Sequence, residues 1–250
     1  VDKKHQLYLN LYPLCFADAL KAKTYRDYVE RFAKEVDLGF ISFDHYPVLE
    51  DISSGKVGVT SLRSNFYANL EDIRNVSETV GQPFWAFALS TAHDPYPVAS
   101  REILHLEVMS DLAYGAQGIQ YFTYWNAGTK TWNFNTAPIS MDGHRTHVWY
   151  LVRDMNREIE ALTKVFLGVK VIDVAHTGET LPEGTHRLVS LPSPFKSDDI
   201  QKGDFLVSHL KNGNNQYLLI LNRDLHKTQK LTLSKSGRIH RIMPDGQMCK

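Results

Sequence analysis

Asp44, His45, Tyr46 and Pro47 stand together where a short apolar run, Gly39-Phe40-Ile41-Ser42-Phe43, stops. A carboxylate beside an imidazole and a phenol can act as a base, as a nucleophile or as an acceptor for hydroxyl groups. The same Asp can instead shape the turn that leads into Pro47. Three further apolar runs end in polar or aromatic residues. Asn10 and Tyr12 close QLYLNLY, Ser90 and His93 follow PFWAFAL, and Tyr124, Trp125 and Asn126 close GIQYFTYW. An imidazole as a residue type titrates near neutral pH, so His45 or His93 can bind a ligand or relay a proton. Neighbouring strand residues point to opposite sides, so Asp44 and His45 do not chelate together. No His, Asp, Glu or Cys cluster has metal-ligand spacing, and neither a metal nor another cofactor is expected. Glu102 is a competing carboxylate in the first turn of a helix, where it also complements the helix dipole. Glu107, in mid-helix, reads as structural.

The elements that carry these residues alternate. Gln6–Tyr12, Gly39–Pro47, Pro83–Ser90 and Gly118–Trp125 read as strands. Thr24–Val36, Ser61–Val80, Ser100–Tyr114 and about Arg145–Val165 read as helices, the second stopped by Gly81-Gln82-Pro83 and the third capped by Ser100 and ended by Gly115. Near-continuous apolar strands alternating with helices imply parallel βαβ units covered on both faces. Four such units make either a small open sheet or half of a closed barrel. Strand ends favour the barrel, because carboxyl ends of parallel strands carry the site. Beyond Gly168, six short runs read as strands: Lys170–His176, His186–Leu191, Phe205–Lys211, Gln216–Asn222, Gln229–Leu233 and Ile239–Met243. The fold class is therefore α/β. Residues 1–167 form four strands with their helices, read as half of a (β/α)8 TIM barrel rather than a small open sheet, and 168–250 a small antiparallel β-sandwich; the resemblance below makes the four strands 5–8.

The segments Asn10-Leu11, Asp44-His45-Tyr46-Pro47, Pro83-Phe84-Trp85 and Ala113–Trp125 carry a resemblance. Over roughly residues 6–165 the chain resembles the last four strands of a clan A glycoside hydrolase barrel, nearest to family 42 β-galactosidases and related glycosidases of gut bacteria. The resemblance implies hydrolysis of a glycan by two carboxyl groups, about 5 Å apart in retaining enzymes. In that family an acid/base Glu ends the fourth strand, which would precede this chain. A nucleophile Glu ends the seventh, and alignment on Pro83-Phe84-Trp85 puts that position at Ala88. Asp44 becomes the expected catalytic carboxylate. Asn10, Tyr12, His45, Tyr46, Ser90, His93, Tyr124 and Trp125 become the expected substrate-binding residues. The Trp125 indole would stack on a pyranose, Trp132 is a further rim platform, and Trp85, mid-strand, reads as core. Ala88 equally motivates a carbohydrate-binding barrel that has lost hydrolysis.

Composition agrees with a carbohydrate partner. In 250 residues, Lys plus Arg equals Asp plus Glu at 28 each, so neither nucleic acid nor an anionic membrane surface is an expected partner. No apolar run approaches the roughly 20 residues of a spanning helix. Residues 1–5 are not a signal peptide, and the resemblance alone suggests a secreted or periplasmic protein. Cys15 and Cys249 have no motif spacing. Half a barrel leaves two open strand edges, at the strands beginning at Gln6 and Gly118, so a homodimer through those edges or a longer parent chain is expected.

Overall fold

The computed structural model describes residues 4–5, 7–36, 38–51, 58–128, 132–236 and 239–249; Gln6, where the first strand was expected to begin, lies outside them. The first five strands are β1 (Ile41–Asp44), β2 (Val48–Glu50), β3 (Thr60–Leu62), β4 (Phe84–Leu89) and β5 (Gly118–Phe122), and the helices are α1 (Tyr25–Glu35), α2 (Phe66–Val80), α3 (Arg101–Ala113), α4 (His147–Ala161) and α5 (Thr163–Phe166). β1, β4 and β5 pair in that order as a parallel sheet. The Leu11 amide donates to Ser42 O at 2.8 Å and adds one parallel bridge outside β1. An α/β fold with a partial, barrel-like parallel sheet follows.

Side-chain alternation divides the sheet into two faces. Phe43, Phe84, Ala86 and Ala88, joined by Ile119 and Tyr121, enter the core shared with the helices. By register, Ser42, Asp44, Trp85, Phe87, Gln120 and Phe122 face the other way. Trp85 belongs to this second face, with its ring centroid 4.4 Å from that of Phe40. It also lies across Gly118, where an added Cβ would sit 2.7 Å from the indole. Only glycine fits there.

The helices follow local chemistry. Thr24, Ser100 and Thr146 cap α1, α3 and α4 with their hydroxyls, and Gly81 ends α2 in the left-handed region at φ 69°. Three expectations are corrected. The helix expected from Ser61 begins at Phe66, because Thr60–Leu62 pairs with Val48–Glu50 as a hairpin. The helix expected over 145–165 divides at Leu162 into α4 and α5. The strand expected over 6–12 is reduced to the Leu11 bridge, with Leu7, Tyr8 and Leu9 exposed. It has a neighbour on one side only, so little of its apolar surface is buried.

After α5 come β6 (Lys170–His176), β7 (Phe195–Lys196), β8 (Phe205–Asn212), β9 (Asn215–Asn222), β10 (Ser234–Lys235), β11 (Arg241–Ile242) and β12 (Met248–Cys249). β6, β8 and β9 form one antiparallel sheet, joined at Gly213 with φ 58°. One face packs on α3, and Ser208 Oγ donates to Ala113 O at 2.7 Å. The other face covers a small second core with Leu188, Ile200 and Leu231. The expected strand over 186–191 is a single bridge at Arg187, and those near 229–243 shrink to the two-residue ladders β7–β10 and β11–β12. These segments carry too few alternating apolar residues to sustain a second full sheet.

α3 therefore lies between two sheets, which is why Leu106 to Ala113 is buried without interruption. Among the described residues, no helix is long and apolar enough to cross a membrane. Cys15 and Cys249 are both free.

Candidate active site

The carboxyl end of β1 carries a hydrogen-bonded polar chain. Gln120 Nε2 donates to Ser42 Oγ at 3.1 Å, Ser42 Oγ to Asn10 Oδ1 at 2.8 Å, and Asn10 Nδ2 to Asp44 Oδ1 at 2.7 Å. The Ser42 proton is thus committed to Asn10, so Tyr8 Oη, 3.0 Å away, donates to Ser42. Burial raises the Asp44 pKa, while the bond from Asn10 pulls it back down. Of the expected residues, Asn10 and Asp44 are brought together, and Tyr46 joins the aromatic surface beside them. Tyr8, Ser42 and Gln120 were missed, although Ser42 and Gln120 are polar positions inside otherwise apolar runs, in phase with Asp44.

An aromatic surface adjoins this chain. Tyr46 meets Tyr96 edge-on at 5.5 Å, and His93 packs against Tyr96 and Phe134, each at 4.9 Å. Trp132 stands edge-on to His93 at 6.0 Å. His93 Nδ1 donates to Thr91 O at 3.0 Å, which leaves Nε2 as the free acceptor in the neutral ring. Arg63 Nη2 donates to Tyr96 Oη at 3.1 Å.

The remaining expected residues are dispersed. His45 turns behind the strand, with its ring edge-on to Phe66 at 5.6 Å. Burial, then the Arg63 charge, lowers its pKa to about 3, so it is neutral at physiological pH and does not line the open face. Ser90 is buried and donates to Thr123 O at 3.0 Å. Tyr12 packs edge-on to Phe16, apart from the polar chain. Tyr124 and Trp125 are exposed and join the 135–145 loop through Ile139. Glu102 is exposed at the start of α3; bonds to its own amide and to Ser100 lower its pKa, as suits an end-of-helix carboxylate. Among the described residues, no group of three His, Cys, Asp or Glu is placed to hold a metal ion.

A family model described as Beta-galactosidase, that of glycoside hydrolase family 42, matches residues 16–162. The chain belongs to glycoside hydrolase family 42. It is similar to one solved structure, a polyextremophilic β-galactosidase from the Antarctic haloarchaeon Halorubrum lacusprofundi, at 14% identity and a TM-score of 0.41. The match covers 62% of this chain and 23% of that one, so the family 42 chain spans about a quarter of that protein's length. No curated protein matches it in sequence.

In this family 42 chain Ala88 is fully buried on the helix side of β4, opposite Tyr121. Assigning the nucleophile position to Ala88 is therefore corrected by pleat geometry: a carboxylate there would enter the core. Phe87 and Leu89 flank it on the open side. Two carboxyl groups do lie behind β4, on α3. Glu107 Oε2 accepts from the Leu89 amide at 3.1 Å, and burial pushes the group up to about 8. Asp111, one turn on, is also raised, first by burial and then by Glu107.

Proposed function

We propose that this chain supplies one wall of the sugar site of a family 42 glycosidase, with Asp44 as that wall's carboxylate. The observation that carries this reading is Asp44 itself, anchored by Asn10 at the carboxyl end of a parallel sheet, beside an aromatic surface. Parallel α/β folds bind ligands at that end. A carboxylate accepts strong hydrogen bonds from sugar hydroxyls, and rings such as Tyr96 and Trp132 suit the apolar face of a pyranose. On this reading, the Leu11 segment, β1, β4 and β5 are strands 5 to 8 of a (β/α)8 barrel, within a barrel portion of residues 1–167. Residues 168–250 are a sandwich-like accessory β-domain. The open edges pair with further strands of a longer polypeptide or, for this chain alone, with a second copy.

The proposed reaction is O-glycosyl hydrolysis, and the family's description makes a β-galactoside the first substrate to try. Hydrolysis takes two carboxyl groups, about 5 Å apart for retention and roughly 6.5–9.5 Å for inversion. Asp44 offers one; the other comes from strands outside this chain. The open side of β4 presents Phe87 and Leu89 and no carboxylate, which supports a second reading, a barrel that binds carbohydrate without cleaving it.

The test is turnover of a panel of aryl glycosides by the full-length polypeptide, wild type beside Asp44→Ala, with folding checked by circular dichroism. Turnover that vanishes in the folded variant supports the glycosidase reading. Turnover that survives removes Asp44 from the chemistry. Absence of turnover with sugar binding seen by calorimetry selects the second reading.

A further inference from the structure

Arg63 is a cation for which the chain supplies no anion. Arg26, Arg31, Arg74, Arg153, Arg157 and Arg223 each reach a carboxylate, at between 2.7 and 3.9 Å. Arg63, half-buried, makes no ion pair among the described residues. Its Nη2 donates to the neutral Tyr96 Oη at 3.1 Å, and its buried Nε has no hydrogen-bond partner. Asp44 is held by Asn10 instead. A guanidinium stays charged in a protein and carries five N–H donors. Taken partly out of water, such a charge is costly until an anion meets it. The backbone sets its place: the Arg63 amide donates to Pro47 O at 2.7 Å, in the segment that leaves β1 through Asp44 and Tyr46. Tyr96, which receives Nη2, stands edge-on to Tyr46 at 5.5 Å and lies 4.9 Å from His93. Phe122, on the open face by register, lies 6.3 Å from Tyr46 and 6.0 Å from His93. The spare donors of Arg63 thus adjoin the aromatic surface, at the carboxyl end of the sheet where ligands bind.

We propose that the site takes an acidic sugar, a pyranose bearing a carboxylate or a sulfate ester, and that Arg63 is the specificity-determining residue that binds the anionic group. The proposal rests on the reading of the open face beside Asp44 as the sugar site. Asp44 repels a second anion, so the anionic group belongs on the Tyr96 side and uncharged hydroxyls on the Asp44 side. A guanidinium pairs with such oxyanions through strong, charge-assisted hydrogen bonds. His93 Nε2, the free acceptor of a ring whose Nδ1 donates to Thr91 O at 3.0 Å, accepts a hydrogen bond from a hydroxyl of the same sugar.

The test is calorimetry on the full-length polypeptide with methyl β-galactoside, methyl β-galacturonide and methyl β-galactoside 6-sulfate. Wild type is compared with Arg63→Gln and Arg63→Lys, with folding checked by circular dichroism. In wild type an acidic glycoside binds at least about tenfold more tightly than the neutral parent, as one charge-assisted hydrogen bond implies. That preference shrinks as salt rises, and the acid preferred, carboxylate or sulfate, names the group. Folded Arg63→Gln binds acidic and neutral glycosides alike. Arg63→Lys, which keeps the charge without the planar fork, retains part of the preference. A wild-type protein that binds the neutral parent at least as tightly as either acid overturns the proposal and leaves the sugar site standing. So does a preference that survives in Arg63→Gln. A protein that binds none of the three overturns the proposal together with the sugar-site reading. If Arg63→Gln does not fold, the wild-type comparison decides alone. Turnover plays no part in the measurement, so a chain that hydrolyses nothing is still tested by it.

Discussion

Replacing Glu107 by Gln changes how stability depends on pH, and the structure gives the size of the change. Glu107 titrates near 4.5 when solvated and at about 8 in the fold, with burial as the cause. Between those limits the folded chain holds a proton that the unfolded chain releases. Stability is then complete below about pH 4.5 and is lost as pH rises through about 8. Each tenfold step in proton affinity is about 1.4 kcal/mol, so the full loss is on the order of 5 kcal/mol, a large part of the 5–15 kcal/mol that holds a typical domain. Gln has the shape of the neutral acid, can accept from the Leu89 amide and has nothing to ionise. Urea unfolding between pH 5 and 9 reads the difference. Wild type loses stability more steeply across that range than Glu107→Gln, so the variant matches wild type at pH 5 and exceeds it by a few kcal/mol at pH 9. Asp111, buried one turn away with Oδ2 unpartnered, is also raised and adds its own loss of stability with rising pH in both proteins. Parallel curves across the whole range would refute the assignment of Glu107 as a buried neutral acid.

Three other outcomes follow from the geometry. Asn10→Ala removes the 2.7 Å bond to Asp44, which raises the Asp44 midpoint in an NMR titration and costs about 1–2 kcal/mol in chemical unfolding. Gly118→Ala puts a methyl against the Trp85 ring, at a cost of about 1–3 kcal/mol from overpacking. Most of that cost disappears in a Trp85→Leu background, and additive effects would mean that the ring is not the obstacle. Trp132→Ala weakens sugar binding by calorimetry about two- to tenfold, as expected for one lost aromatic contact of about 0.5–1.5 kcal/mol, whereas Tyr12→Ala, on a ring packed against Phe16, leaves it unchanged.

The parallel sheet was legible in sequence because its signals are local. Continuous apolar runs, the Ser100 cap and the Gly81 stop each fix an element without reference to distant residues. Asp44 was legible for the same reason, as a carboxylate where such a run ends. Sidedness was less legible. Strand periodicity separates Ser42 and Asp44 from Phe43, but not which set faces the helices when both faces are apolar. Once Trp85, Phe87, Gln120 and Phe122 are known to face the open side, Ala88 and His45 fall on the helix side. The β3 hairpin was hidden because Thr60–Leu62 is stabilised by Val48–Glu50, a pairing across a loop that no local pattern announces. Glu107 read as structural because a mid-helix Glu is ordinarily solvated; its burial arises because that face of α3 packs behind β4, against the Leu89 amide.

That second sheet bears on the site through α3. Ser208 on β8 fixes the α3 C-terminus at Ala113 O, and His176 on β6 lies 3.0 Å from Tyr114 Oη, which donates to Glu71 on α2 at 3.0 Å. With the tyrosine proton committed to Glu71, His176 Nε2 must be the donor to Tyr114. Burial, then the Arg223 charge, lowers the His176 pKa to about 3, so the ring is neutral and that Nε2–H tautomer is the one the network requires. Ser110 and Tyr67 bond at 3.2 Å on the α2 side of the same helix. A helix pinned from both sides cannot shift without breaking several buried hydrogen bonds, each costly to leave unmade. Glu107 is three residues from Ser110, so the pinning that orders α3 also holds its carboxyl against the Leu89 amide at the end of β4. The β-sheet after residue 168 thus acts as the outer support of the open-face geometry, two layers away from Asp44.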